Sequence, residues 1–253
     1  MPFMTAQVSR VGGRDYNEDF CSFVETGGTG CWVVADGLGG HRGGAIASRA
    51  AVEAVLSSFG KNPELSKNSL QRHLEAAQGA VMQEQTRQPD LSTMRTTIVV
   101  LIADSARGIW AHMGDSRLYC LQNGSIAFRT SDHSVPQMMV NAGNLAADQI
   151  RHHEDRNRLL RSLGNPDVDF RPTILPEPCP ITRDSAFLLC TDGFWENVLE
   201  SEMAVDLAKA KDPTDWLTLM EDRLLERSGE RDDNYTGIAV MTDPQSTLNP
   251  SKE

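Results

Sequence analysis

Apolar positions along this chain come in short bursts separated by turn-forming residues. Runs rich in β-branched residues predict strands at AQVSRV, FCSFVE, CWVVAD, TTIVVLIA, GIWAHMGD, RLYCLQ, DFRPTIL, AFLLCTD and YTGIAVMT. Helical spacing marks GAIASRAAVEAVLSSF, after a glycine-rich turn, and SLQRHLEAAQGAVMQEQ, from Ser69. A later helical block follows Ser201 and is interrupted near KDPTDW, where Pro213 suits a first turn. Between Asp132 and Gly164 the pattern is helical and polar, with little strand signal. Many strands, two successive helices, more strands, then helices and a last strand do not alternate as βαβα. The order predicts an α+β fold, a pair of antiparallel sheets with helices packed outside.

Several strand ends carry acids. Asp36 closes WVVAD and Asp192 closes FLLCTD, each followed by glycine, and Asp115 closes WAHMGD ahead of Ser116 and Arg117. RDYNED (Arg14 to Asp19) and RDDNYT (Arg231 to Thr236) add acids near the two ends of the chain. Singly, each has an ordinary reading: DG is a turn, NED a solvated loop or helix start, Asp115 with Arg117 a hairpin or ion pair, and Asp232 with Asp233 a hydrated turn. Together, each beside a strand, they are what a hard divalent cation requires, oxygen ligands converging while waters complete an octahedron. A glycine after the aspartate lets its carbonyl turn and water approach. With no clustered His and Cys set, the donors suit Mn²⁺ or Mg²⁺ rather than zinc.

Composition narrows the chemistry. The 253 residues, 40% hydrophobic, fit one large domain or two small ones with a real core. Lys and Arg number 24 against 35 Asp and Glu, a net charge of −11, which argues against a nucleic-acid surface and demands cations wherever phosphate is handled. The 5 cysteines, an odd count without C-x-x-C spacing, read as buried thiols of a reducing compartment. MPFMTAQVSR has no signal-peptide character, and no apolar run approaches the ~20 residues of a membrane span. A cytoplasmic protein without a membrane partner is therefore expected. The polar tail DPQSTLNPSKE is expected to be frayed, with residues 244–253 disordered.

RDYNED, VADGLGGH, MRTT, MGDSRLY, TSDHS, RLLRSLG, LLCTDGFWENV and DDNYTGIAV stand in an order and at separations that resemble the bacterial PP2C-type, metal-dependent protein serine/threonine phosphatases. The similarity runs from about Val8 to Met241. It implies a four-layer α-β-β-α sandwich forming one domain over residues 1–243, with a mobile flap at about 135–158. It further implies that Asp36 bridges two metal ions and that the Gly37 carbonyl reaches the second. Asp192 and Asp233 would hold the first metal, Glu18 would reach the second through water, and Asp19 and Thr97 would orient water ligands. Asp115 with Asp192 matches the position of a third, weaker ion, and Arg14 is the implied phosphate-binding cation.

The implied reaction is hydrolysis of phosphoserine and phosphothreonine in proteins by a metal-activated water. Two ions roughly 3.5–4 Å apart share and acidify a water, and a phosphoserine brings about −1.5 to −2 charge at pH 7. Two cations plus a bidentate Arg14 offset the acidic field. The expected partners are phosphoproteins made by a cognate bacterial kinase, and the expected state is a monomer. An inactive phosphoprotein-binding relative is the alternative, weakened because Glu18, Asp36, Asp115, Asp192 and Asp233 are all present. A phosphodiesterase lacks the basic, aromatic-studded stripe it would need.

Some residues depart from the family pattern. Leu38 stands where many eukaryotic relatives carry a histidine proton donor, with His41 three residues later as a helix cap or acid. Arg95 replaces a common glycine and Ala45 a frequent glutamate. His133 reads as a structural hydrogen-bonder, His152 and His153 as solvent-facing, and Cys190 as a buried strand residue.

Overall fold

The computed structural model describes residues 3–39, 43–165, 168–227, 229 and 233–243. His41, Arg231, Asp232 and the tail from 244 lie outside them. The strands are β1 Phe3–Arg10, β2 Asp19–Thr26, β3 Thr29–Leu38, β4 Arg95–Thr96, β5 Ile98–Ala103, β6 Arg107–Met113, β7 Arg117–Gln122, β8 Ser125–Arg129, β9 Thr173–Ile174, β10 Cys179–Pro180, β11 Ala186–Cys190 and β12 Tyr235–Thr242. The helices are α1 Gly43–Lys61, α2 Lys67–Arg87, α3 Val135–Asn141, α4 Asp192–Trp195, α5 Glu200–Lys209 and α6 Pro213–Arg227.

One sheet runs β1-β12-β11-β7-β8 and the other β10-β6-β5-β3-β2, with β4 added beside β3 and β9 beside β6. All pairings are antiparallel. Strand periodicity explains the layering. Cys31, Val33 and Ala35 of β3 pack with α1 and α2 residues such as Val52, Phe59 and Leu74, whereas Trp32 and Val34 meet Leu118, Phe187 and Val240 between the sheets. On β11, Leu188 and Cys190 join Met203, Trp216 and Met220 of α5 and α6, while Phe187 and Leu189 face the inter-sheet core. Both faces of these central strands are buried, which is why they read as unbroken apolar runs. Three apolar cores make four layers, α-β-β-α, as expected.

Several boundaries differ from the sequence reading. The strand through Asp36 does not stop there: β3 continues to Leu38, because Gly37 and Leu38 pair with Thr96 and Arg95. The strand leading to Asp192 stops at Cys190, and Asp192 opens the short helix α4 after Thr191 at its N-cap. β6 ends at Met113, and Gly114 at φ 109° turns the chain before Asp115. DFRPTIL forms only the two-residue β9, since Pro172 has no N–H to donate to a ladder. β8 was not anticipated, although the Asn123-Gly124 turn before it, with φ of 51° and 73°, is a strong hairpin signal. The helical reading of 132–164 resolves into α3, capped by Ser134, and a 3-10 turn at Ala147–His152. Gly143 at φ 76° breaks the helix between them.

The second helix opens at Lys67 rather than Ser69; the Ser66 side chain accepts from the Ser69 amide at 3.1 Å. His73 is buried between α1 and α2, with Ser58 Oγ 2.8 Å from Nδ1 and Ser69 Oγ 2.9 Å from Nε2. Burial lowers its pKa from 6.5 to about 4. The unfolded imidazole therefore takes up a proton first, so the stabilisation His73 provides is complete above about pH 6.5 and is lost as pH falls toward 4. His73→Gln is expected to flatten the dependence of unfolding free energy on pH across that window, measured by denaturant titration; an identical slope would remove His73 as its cause.

Candidate active site

Asp36 shares the inter-sheet face of β3 with Trp32 and Val34, and its main chain is held on both sides. Its amide donates to Thr97 Oγ1 at 3.0 Å, and its carbonyl accepts from the Thr97 amide and the Thr96 hydroxyl, each at 2.8 Å. Thr97 Oγ1 also lies 2.6 Å from Ser116 Oγ. The Thr97 hydroxyl, expected to orient water, thus fixes the backbone of Asp36. Asp19 stands opposite Asp36 in register and accepts from Thr191 Oγ1 at 2.8 Å, a link between the two sheets. Burial raises the Asp19 pKa to about 7 against the pull of the Thr191 and Thr236 hydroxyls.

Close approach accounts for the glycines. A Cβ on Gly37 would lie 2.1 Å from the Gly44 carbonyl oxygen, and one on Gly44 would lie 2.7 Å from Glu18 Oε1. The start of α1 is thereby pressed against the strand that carries Asp36. Glu18 Oε1 is buried without a hydrogen-bond partner.

On the other sheet, the Asp192 carboxylate accepts from the Gly193 amide at 2.7 Å, and a Cβ on Gly193 would lie 2.1 Å from the Asn234 carbonyl oxygen. Arg14 Nη2 donates to Asp233 Oδ2 at 2.7 Å. Trp195 Nε1 donates to the Asp115 carbonyl at 3.0 Å, which fixes that turn. Sequence reasoning missed the work of Asn234. Its Oδ1 accepts from the Glu18 amide at 2.8 Å, and its Nδ2 donates to the carbonyls of Val11 and Tyr16 at 2.8 and 2.9 Å. One buried amide clamps the loop that carries Arg14 onto the start of β12. The available signal was an asparagine wedged between acids and a buried strand.

Arg14, Glu18, Asp36, Gly37, Asp115, Asp192 and Asp233 all border one cleft of about 180 Å³, and Asp19 is not among its walls. A neighbouring recess of about 460 Å³ shares Arg14, Asp192 and Asp233 and adds Arg151, His152 and Arg156 from the segment after α3. A larger recess of about 970 Å³, between that segment and the start of α5, holds none of the predicted residues, so converging carboxylates rather than size mark the site. His133 is buried, with Nδ1 accepting from the Gly114 amide at 3.2 Å, and His152 is exposed. All 5 cysteines are free, and Cys190 is fully buried.

Burial, and then repulsion led by Asp192, raises the pKa of Asp36 and Asp115 well above the ordinary carboxylate range. Burial followed by Asp233 lifts Asp192 to about 6. Among the described residues, no three acid, His or Cys groups already surround one point at coordinating geometry. The donor chemistry nevertheless fits a hard divalent cation: only oxygens, closely spaced like charges that a cation relieves, and an orphaned Glu18 oxygen.

Fold and site together define a phosphatase of the two-sheet sandwich class. The chain belongs to the protein phosphatase 2C family, whose model matches residues 7–230. It is 31% identical over 184 residues to the serine/threonine phosphatase stp of Listeria welshimeri, covering 71% of each chain. Its fold matches the Mycobacterium tuberculosis serine/threonine phosphatase PstP/Ppp at TM-score 0.83 and 24% identity, covering 95% of this chain and 99% of that one. It also matches a PstP catalytic domain in complex with 2 manganese ions at TM-score 0.78 and 24% identity, covering 94% and 98%. By family, the chain is a metal-dependent protein serine/threonine phosphatase. No helix among the described residues is long and apolar enough to cross a membrane.

Proposed function

We propose that this chain hydrolyses phosphoserine and phosphothreonine in proteins with two Mn²⁺ or Mg²⁺ ions held by the carboxylates of the cleft. The observation that carries the reading is the convergence of Glu18, Asp36, Asp115, Asp192 and Asp233 with Arg14 on one cleft. Bound divalent ions supply a water acidified toward neutrality and positive charge for the phosphoryl oxygens. Asp36 would help to hold both ions and the Gly37 carbonyl the second; Asp192 and Asp233 would hold the first, and Glu18 would act through water. Asp19, behind Asp36, keeps that carboxylate in place and orients waters. Asp115 with Asp192 takes a third, weaker ion. Arg14 leaves Asp233 to grip two phosphate oxygens, a geometry a guanidinium matches and an ammonium does not. A metal-activated water requires no phosphorylated-enzyme intermediate.

In this reading residues 1–243 act as one catalytic domain, with 135–158 as a flap over the cleft. The protein works as a cytoplasmic monomer on the products of a serine/threonine kinase. The purified protein is expected to turn over an aryl phosphate and phosphothreonine peptides with Mn²⁺ or Mg²⁺, and chelator is expected to stop it reversibly. Arg14→Ala is expected chiefly to raise KM, because the guanidinium holds phosphate equally in ground and transition states. Full activity after exhaustive chelation, with no metal found by elemental analysis, would overturn the mechanism. Phosphopeptide binding with no turnover at any metal concentration would favour the inactive relative.

A further inference from the structure

Among the described residues, Arg95 is the only arginine with no hydrogen bond, ion pair or ring contact from its side chain, and its Nε is buried without a partner. The other described arginines are engaged: Arg14 with Asp233, Arg117 with Asp132, Arg151 with Glu200, Arg223 with Asp206. In a chain with 35 acids against 24 bases, an idle cation is out of character. Burying a cationic N–H without an acceptor is also unfavourable, so its retention calls for a partner that arrives.

Its position says which partner. Arg95 pairs directly with Leu38, and Thr96 with Gly37. Opposed residues of an antiparallel pair share a face, and Leu38 lies two positions beyond Asp36, so Arg95 leaves the sheet on the face that bears both. Leu38 borders the carboxylate cleft. The short strand is immobilised: the Thr96 amide donates to the Leu163 carbonyl at 3.2 Å, the Leu163 amide to the Thr96 carbonyl at 2.8 Å, and the Thr96 hydroxyl to Asp36. Arg14 approaches through Asp233 at the start of β12, from the other sheet. Leu38 offers no donor; Arg95, its register partner, does not itself line the cleft and stands one strand beyond that wall.

We propose that Arg95 is a second phosphate-binding cation, engaging the phosphoryl group of the substrate from the Leu38 side while Arg14 engages it from the other. This rests on the phosphatase reading above. The test uses the Mn²⁺-loaded protein and measures KM for an aryl phosphate and a phosphothreonine peptide, Ki for inorganic phosphate, and Tm. Arg95→Ala is expected to raise both KM values and the phosphate Ki by about tenfold, the scale of one charge-assisted hydrogen bond. Arg95→Lys should be intermediate and Arg95→Glu worse. Tm should hold or rise in Arg95→Ala, because a buried N–H without an acceptor is removed. Unchanged KM and Ki in both Arg95→Ala and Arg95→Glu, with Arg14→Ala still raising them, would overturn the role of Arg95 and leave the phosphatase reading intact. A drop in Tm with Ki unmoved would make Arg95 structural. Absence of metal-dependent turnover in the wild type would overturn both.

Discussion

Asp36→Asn and Asp192→Asn are each expected to lower turnover by about 10²–10³-fold, the scale of removing one charge-stabilising group from an active site. They also shrink the rise in Tm that Mn²⁺ produces. An amide keeps the size of the carboxylate and part of its hydrogen bonding but not the charge that holds a divalent ion. Added metal stabilises a protein by binding its native state, about 2.7 kcal/mol at a hundredfold excess over Kd, so a weakened site shows directly as a smaller shift. Stability in chelator should move the opposite way. Both carboxylates are disfavoured by burial and by their neighbours, so removing one charge relieves repulsion and the metal-free variants should be at least as stable as wild type. Variants that lose turnover and also unfold more readily in chelator would instead be fold determinants.

The largest expected loss of stability belongs to Arg117. Its guanidinium is 1% exposed, bonded to both oxygens of Asp132 at 2.8 and 2.7 Å, and lies over the Trp195 ring at 3.3 Å. Its Nη1 donates to the Tyr119 hydroxyl at 3.1 Å. Such a pair adds little net stability against an apolar replacement, but breaking it strands the surviving charge. Arg117→Ala is expected to cost about 3–5 kcal/mol in denaturant unfolding. Asp132→Ala should cost less, because Arg117 Nη1 keeps Glu200 Oε1 at 3.5 Å, and the double variant less than the sum, because no stranded charge remains. Additive losses would show that the two side chains contribute through packing alone.

The layering was legible in the sequence because β3, β5 and β11 bury both faces and leave unbroken apolar runs. The gathering of carboxylates on one cleft was legible because several acids stand together at the ends of such runs. What escaped were features set by distant partners. β3 runs past Asp36 only because β4, more than fifty residues later, pairs with Gly37 and Leu38. Asn234 has a suggestive setting beside acids and a strand but no local sign of its partners, since all three of its side-chain bonds go to residues more than two hundred positions away. Thr97 looked available to water, yet its hydroxyl is used by Asp36 and Ser116.

The placement of β12 bears on how the molecule comes into being. This last strand is inserted between β1 and β11, so Phe3–Arg10 finds its partner only in Tyr235–Thr242. During synthesis β1 is expected to wait without its partner until β12 has been made. Contacts of such long sequence separation form late and slowly. Asn234, which docks the Arg14 loop, arrives with that same closing strand. A chain lacking it holds most of the acidic residues but neither Asp233 nor Asn234, so the cleft is expected to assemble only once this strand has been made.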